Sequence, residues 1–340
     1  MHEFDPNLAV PEDAGIFGLP FTPEESRLVL YPIPWDVTTS SGDGANEGPA
    51  AIFEAGRQVD LHDSELGEFY EPGIAMLEAD KKIIELNRTA RQKAKKVIEV
   101  AGFTEGKPML ERCVRDVNAA CAKLNELTYK TVRSFLDENK LVGIIGGDHG
   151  SLFGGMHAFI ERHPAVGILQ IDAHADLRKA FEGFHYSHAS IMYNVLTELP
   201  LKKLVQVGVR DLCGAEQEMI ARNQGRVQTF FDHDLAARKY DGTPWKILCE
   251  EITEALPKEV YITFDIDGLD PSLCPGTGTP VPGGLQFQEA VTLLRTIVGS
   301  GRTIIGFDLN EVSPKSVWDA NVGSRILFKL CGWTLKSNSK

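Results

Sequence analysis

The chain has 340 residues, 43% of them hydrophobic and 24% charged. That length suits one large α/β domain, and the composition excludes disordered and fibrous classes. Lysine and arginine number 35 against 48 aspartate and glutamate, a net charge of −13. The acidic balance argues against nucleic acid and anionic membrane surfaces as partners and favours a cationic small molecule. No apolar run approaches the ~20 residues of a bilayer span.

The leading segment, MHEFDPNLAVPED, is acidic and carries two prolines, the reverse of a secretory signal. We expect an irregular arm over residues 1–25 and a single domain over 26–340. The first strand is expected at Leu28–Ile33. The Gly/Ser-rich segment that follows, Thr38 to Ala45, lacks the Gly-Lys-Ser/Thr of a phosphate-binding loop. It reads either as a functional loop at the carboxyl edge of a sheet or as a plain surface turn.

Between Asp80 and Asn139 the pattern is helical. Ile83, Leu86, Ala90, Ala94 and Val97 keep one stripe, which Gly102 stops; Val114, Val117, Cys121, Leu124, Val132 and Phe135 keep another. Arg91, Lys93, Lys95 and Lys96 on the first helix read as a solvated outer face, since no aromatics are interleaved with them. From Leu141 onward, short apolar runs alternate with helix-length segments. The runs are Leu141–Ile145, Val166–Ile171, Leu204–Val209, Val227–Phe231, Glu259–Phe264 and Thr303–Leu309. They are nearly continuous rather than alternating, as parallel strands covered on both faces require. The expected fold class is therefore α/β, a mostly parallel sheet between two helical layers. The six cysteines are scattered and form no C-x-x-C pair; reduced thiols and a cytoplasmic location are expected, not a zinc ribbon.

Four of these strands end in acid or imidazole groups. Leu141–Ile145 runs into Gly146-Gly147-Asp148-His149, and Val166–Ile171 into Asp172-Ala173-His174-Ala175-Asp176. Glu259–Phe264 runs into Asp265-Ile266-Asp267, and Thr303–Leu309 into Asn310-Glu311. In an open parallel sheet the carboxyl edge is where ligands bind. Any one such residue could cap a helix or satisfy a turn. The D-x-H-x-D and D-x-D spacings put alternate side chains on one side of an extended chain, so the set converges. Carboxylates packed together need cations between them or strongly raised pKa values. Asp172, Asp176, Asp265 and Asp267 supply four charges and His149 and His174 two neutral nitrogens, a set that balances two divalent ions. Oxygen and imidazole ligation without thiolate suits Mn²⁺, with Ni²⁺, Co²⁺ or Fe²⁺ as alternatives. Two ions sharing a water make hydroxide available near neutral pH. The reading is a hydrolytic centre.

GGDH at Gly146–His149, DAHAD at Asp172–Asp176, FDIDGLDP at Phe264–Pro271 and EVSP at Glu311–Pro314 together resemble the ureohydrolases, the family of arginase and agmatinase. Pro34-Trp35-Asp36 and Glu47 to Ile52 are a weaker echo. The resemblance spans about half the chain. It implies a single-domain three-layer α/β/α sandwich with an eight-stranded sheet, a homo-oligomer (trimer or hexamer) and a small guanidino substrate. It implies one ion held by His149, Asp172, Asp176 and Asp265, and a second by Asp172, His174, Asp265 and Asp267. Glu311 would pair with the substrate guanidinium, whose forked donors match a carboxylate. His188 would shuttle protons, with Asp267 assisting, and His185 is its local competitor. Asp148 and Asp270 would orient ligands and turns without touching metal.

The sequence departs from the family pattern at Gly150, at Arg178 and over Lys315–Asn321. Gly150 replaces a serine frequent after the metal histidine and is expected to loosen a helix cap. Arg178 stands where arginase-like members hold the amino-acid head group with a small polar residue. It is either a salt bridge within its loop or a pocket residue that would repel the distal amine of agmatine and favour a carboxylate-bearing or very small guanidine. Trp35, Trp245 or Trp318 would close a small pocket, or else are core or rim. The leading substrates are agmatine and free guanidine, followed by guanidinobutyrate or guanidinopropionate. The rivals are a single-zinc deacetylase-type amidohydrolase and a catalytically silent binding protein.

Overall fold

The computed structural model describes residues 4–339. Eight strands form one wholly parallel sheet: β1 (Leu28–Ile33), β2 (Ile74–Met76), β3 (Leu141–Gly146), β4 (Gly167–Ile171), β5 (Lys203–Val207), β6 (Val227–Phe230), β7 (Glu259–Asp265) and β8 (Thr303–Asn310). Their order across the sheet is β2-β1-β3-β8-β7-β4-β5-β6. The seven expected runs are all present, most with boundaries moved by one or two residues. β2 is three residues long, too short to leave a pattern.

Five helices cover one face: α1 (Gly48–Gly56) and, later in the chain, α7 (Asp232–Tyr240), α8 (Trp245–Glu254), α9 (Phe287–Gly299) and α10 (Val317–Ser337). The other face carries α2 (Lys81–Ile98), α3 (Pro108–Asp137), α4 (Phe153–Arg162), α5 (Ile191–Glu198) and α6 (Gly214–Arg222). Local chemistry sets the limits of α2. Asp80 caps it, its carboxylate accepting the Lys82 N–H at 2.8 Å. Gly102 ends it with φ +74° and donates its N–H to Val97 O. Within the N-terminal arm, Ile16, Phe17 and Leu19 are buried against the core; residues 1–3 lie outside the described part. The six cysteines are free. Among the described residues no helix is long and apolar enough to cross a membrane.

The chain builds β3, crosses two vacant positions to lay down β4, and later fills them with β7 and β8. The four strands whose ends carry acids and imidazoles therefore become adjacent: β3, β8, β7, β4. This gives the sequence motifs a common place, the carboxyl edge at the middle of the sheet.

Candidate metal centre

After β3, Gly147 passes so close to Trp35 that a Cβ would stand 1.8 Å from the Trp35 carbonyl oxygen. The glycine lets the chain turn and deliver His149, which is fully buried. Around His149 Nδ1 stand Asp176 Oδ2 at 2.9 Å, Asp172 Oδ2 at 3.2 Å and Asp265 Oδ2 at 3.5 Å. Around His174 Nδ1 stand Asp267 Oδ2 at 3.0 Å and Asp172 Oδ1 at 3.6 Å. Two groups are positioned to bind a metal ion, His149–Asp172–Asp265 and Asp172–His174–Asp267, and Asp172 belongs to both.

The route to this convergence differs from simple alternation. Asp176 turns back toward His149 through a left-handed conformation, φ +54°. Asp265 caps a 3₁₀ turn, Ile266–Gly268, that contains Asp267, and the Asp267 N–H donates to Asp265 Oδ1 at 2.9 Å. A Cβ on Gly268 would come within 2.7 Å of the Asp172 nitrogen, so the ends of β4 and β7 meet only over a glycine.

These residues fit two cations. Ligand bonds of about 2.0–2.2 Å place neighbouring donor atoms roughly 2.8–3.6 Å apart, which matches the separations above. Thr263 Oγ1 donates to Asp308 Oδ1 at 2.8 Å and lies 2.8 Å from His149 Nε2. The hydroxyl's free lone pairs thus take the Nε2–H, leaving Nδ1 with its lone pair aimed at three carboxylates. Nδ1 has no hydrogen-bond partner. A lone pair facing anions calls for a positive ion between them.

The electrostatics agree. Burial, then Asp172, pushes Asp176 up to about 7; burial, Asp267 and Asp172 raise Asp265 well above the ordinary carboxylate range. Burial works to lower both imidazoles, but their carboxylates outweigh it, raising His149 well above its usual value and His174 to about 12. Within this cluster protons and cations compete for the same atoms.

Glu311 follows β8 with φ +60°, a conformation that costs energy outside glycine. Its Oε1 accepts the His149 backbone N–H at 2.8 Å, and Thr277 Oγ1 donates to its carbonyl at 2.9 Å. Burial, then Asp148, raises its carboxyl well above the usual range. Among the described residues no lysine or arginine pairs with it; its nearest basic atom is His188 Nδ1, 3.8 Å from Oε1. A buried carboxylate in that position is an acceptor for an incoming cation.

His188, not His185, faces this group. His185 Nε2 lies 2.9 Å from Glu198 Oε1, on the outer side of the loop. Burial, then the neighbouring His174 and His149, pushes His188 down to about 3, so its ring is neutral near neutral pH. Gly150 corrects the sequence expectation. A Cβ there would lie 2.8 Å from the His188 nitrogen and 2.9 Å from the Tyr186 oxygen, so the glycine admits the histidine loop rather than loosening a cap. Asp148 accepts the N–H and O–H of Thr38 at 3.0 and 2.9 Å, and Thr38 Oγ1 accepts the His188 N–H at 3.1 Å. Asp270 is taken up by Ser272 in its own turn.

The Thr38–Ala45 segment packs beside the His188 loop at the carboxyl edge of the sheet. Ser40 Oγ lies 3.2 Å from His188 Nε2. Arg91 is a second correction: it leaves the solvated face of α2 and is buried, donating to the carbonyls of Val37, Thr39 and Gly42 and to Asp43. Lys93, Lys95 and Lys96 keep the outward face expected of them, the first two paired with Asp116 and Asp43. Arg178 has its guanidinium 5.0 Å over the Phe181 ring and its Nε 3.7 Å from Glu216, the loop-bridging alternative. Trp35 is core, Trp245 donates to Glu289 O, and Trp318 is an exposed rim residue donating to Ser272 O.

Acid and imidazole groups from the ends of β3, β4 and β7, gathered into two cation cages with a shared carboxylate and with Glu311 of β8 beside them, define a binuclear metal-dependent hydrolase. A sequence profile of the Arginase family matches residues 26–332. The chain belongs to that family and is a ureohydrolase. It is 34% identical over 315 residues to the N(1)-aminopropylagmatine ureohydrolase of Thermus thermophilus, covering 90% of each chain. It is 28% identical over 295 residues to an agmatinase of Bacillus cereus, covering 86% of this chain and 85% of the other. The fold superposes on proclavaminate amidinohydrolase of Streptomyces clavuligerus with a TM-score of 0.72 at 22% identity, over 98% and 100% of the two chains.

Proposed function

We propose that the enzyme cleaves a C–N bond of a small guanidino compound, agmatine or free guanidine, and releases urea. The observation that carries this reading is Glu311: a buried carboxylate without a lysine or arginine partner, beside two cation cages. We assign His149, Asp172, Asp176 and Asp265 to one divalent ion and Asp172, His174, Asp265 and Asp267 to the other. Mn²⁺ is the first choice and Ni²⁺ the second, since the donors are oxygen and imidazole only. When bound, such ions supply an activated water and charge stabilisation.

The protein's own groups do the rest. Glu311 receives the guanidinium N–H donors and orients the carbon toward the cages. His188, neutral and set between Glu311 and Ser40, relays a proton from the attacking water to the leaving nitrogen, with Asp267 as a second carrier. Beside Glu311 the wall is narrow. A Cβ on Gly278 would meet Ser41 O at 3.0 Å, Thr39 Cγ2 at 3.5 Å and Glu311 Oε2 at 3.9 Å, which favours a slim or very small substrate. Arg178, engaged by Glu216 and Phe181, is a loop brace in this reading and offers no repulsion to a distal amine.

A second reading, guanidinobutyrate or guanidinopropionate, draws on Lys315, whose Nζ lies 3.4 Å from where a Gly42 Cβ would stand; a carboxylate tail would seek it. We also propose a cytoplasmic enzyme, assembled as a homotrimer or hexamer, with residues 26–340 as one catalytic unit. The test is urea release from guanidine, agmatine, guanidinobutyrate and arginine after Mn²⁺ or Ni²⁺ loading. Agmatine or guanidine should turn over fastest and arginine slowest; guanidinobutyrate in the lead would select the second reading. No urea from any of them would end both.

A further inference from the structure

Behind the ligands lies a second layer that the chemistry above does not use. At the carboxyl edge, Asp172, Asp265 and Asn310 occupy one row across β4, β7 and β8. Two residues back along each strand, and so on the same face of the sheet, stand Gln170, Thr263 and Asp308. The register extends this row outward: Thr263 pairs with Asp308 and Gln170, Gln170 with Gln206 on β5, and Gln206 with Thr229 on β6. Five adjacent strands thus carry a polar side chain at one level. Two residues further back, Tyr261, Ile168, Leu204 and Val227 belong to the hydrophobic core. The polar row is a single rung between apolar packing and the cation cages.

A polar group left unpaired in the core is destabilising. All five residues are paired, Asp308 through Oδ1 alone, and the pairing has a direction. Thr229 Oγ1 donates to Gln206 Oε1 at 2.8 Å, Gln206 Nε2 to Gln170 Oε1 at 2.7 Å, and Gln170 Nε2 to Asp172 Oδ2 at 2.8 Å. The same amides reach the backbone of the ligand run, Gln206 to Ala175 O at 2.9 Å and Gln170 to His174 O at 3.3 Å. From the other side, Asn310 and Thr263 both donate to Asp308 Oδ1 at 2.8 Å, and Thr263 meets His149 Nε2. One branch ends on the shared carboxylate and the other on the buried imidazole.

We propose that this rung is a positioning device for the metal centre: Gln170 and Gln206 orient the Asp172 carboxylate and the 172–176 backbone, and Thr263 with Asp308 fixes the tautomer of His149. The proposal rests on the cation reading of the site and assigns these four residues no contact with substrate. A purely structural rung would behave differently. Gln170→Leu or Thr263→Val would then lower stability through the partners left unpaired and leave metal affinity unchanged.

The test measures Mn²⁺ affinity and stoichiometry by equilibrium dialysis, with the melting temperature of the metal-free protein measured alongside. Wild type is expected to bind two ions. Gln170→Leu and Thr263→Val are expected to weaken binding about 10- to 100-fold, while Thr263→Ser, which keeps the hydroxyl, restores it to within about threefold of wild type. Gln206→Leu, one strand removed from any ligand, gives the same direction by a smaller factor and serves should the nearer variants not fold. Wild-type Mn²⁺ affinity in the folded Gln170→Leu or Thr263→Val protein, or in Gln206→Leu should neither of those fold, overturns the rung. Failure of wild type itself to take up Mn²⁺ or Ni²⁺ would strike the cation reading instead.

Discussion

Glu311 Oε1 holds the backbone N–H of His149 at 2.8 Å, tying the residue after β8 to the residue after β3. One carboxylate oxygen therefore steadies a metal-facing histidine while the other remains for a cation. Glu311→Gln keeps an oxygen for the His149 amide but loses the charge. We expect two ions per chain to remain and kcat/KM to fall at least about a hundredfold, the ~3 kcal/mol scale of a broken buried ion pair. Metal analysis and urea assays on the same preparation check both halves.

Gly150→Ala probes the second approach. The added methyl would press on the His188 nitrogen and the Tyr186 carbonyl, both backbone atoms that cannot swing aside. A stability loss of about 1–3 kcal/mol is expected, with metal content kept and kcat reduced more than KM is raised. Unaltered kinetics would remove the His188 loop from the reaction.

Arg91→Lys removes the fork that gathers three carbonyls at 2.7–3.3 Å. A lysine offers a point charge without that planar geometry. The Thr38–Ala45 loop should loosen, raising KM several-fold at constant metal content. Steady-state kinetics across a substrate series would show it.

Much of this centre is legible in the sequence, because liganding residues at strand ends leave dense, ordered motifs. GGDH, DAHAD and the Asp265–Asp267 pair were each readable as chemistry from residue type and spacing. What brings them together was not, because strand order is a property of the crossover between β3 and β4 and leaves no local mark. Gln170, Gln206, Thr263 and Asp308 each sit singly in an apolar run, and only register shows that they share one level. Arg91 hides among exposed lysines of the same helix. Gly150 reads as a weak cap until the Tyr186–His188 backbone is seen against it.

The pH dependence of stability follows from the carboxyls. Asp176, raised to about 7 by burial and Asp172, and Glu311 and Asp265, also raised well above the ordinary range by burial, hold protons in the folded state that the unfolded chain releases near its ordinary carboxylate pKa. Between about pH 4 and pH 7 the folded state thus binds more protons, and the contribution of these groups to stability falls as pH rises. Cations take the deprotonated cage, so the rise in melting temperature on adding Mn²⁺ should be larger at about pH 8 than at about pH 6. An increment independent of pH would contradict this competition.

The most direct measurement is the number of divalent ions bound per chain in wild type and in His174→Ala, by elemental analysis after Mn²⁺ or Ni²⁺ loading, with urea release followed in parallel. Two ions and urea production in wild type, with one ion or fewer and no urea in His174→Ala, is the predicted result. A single ion in active wild type, or wild-type hydrolysis in His174→Ala, would contradict the account.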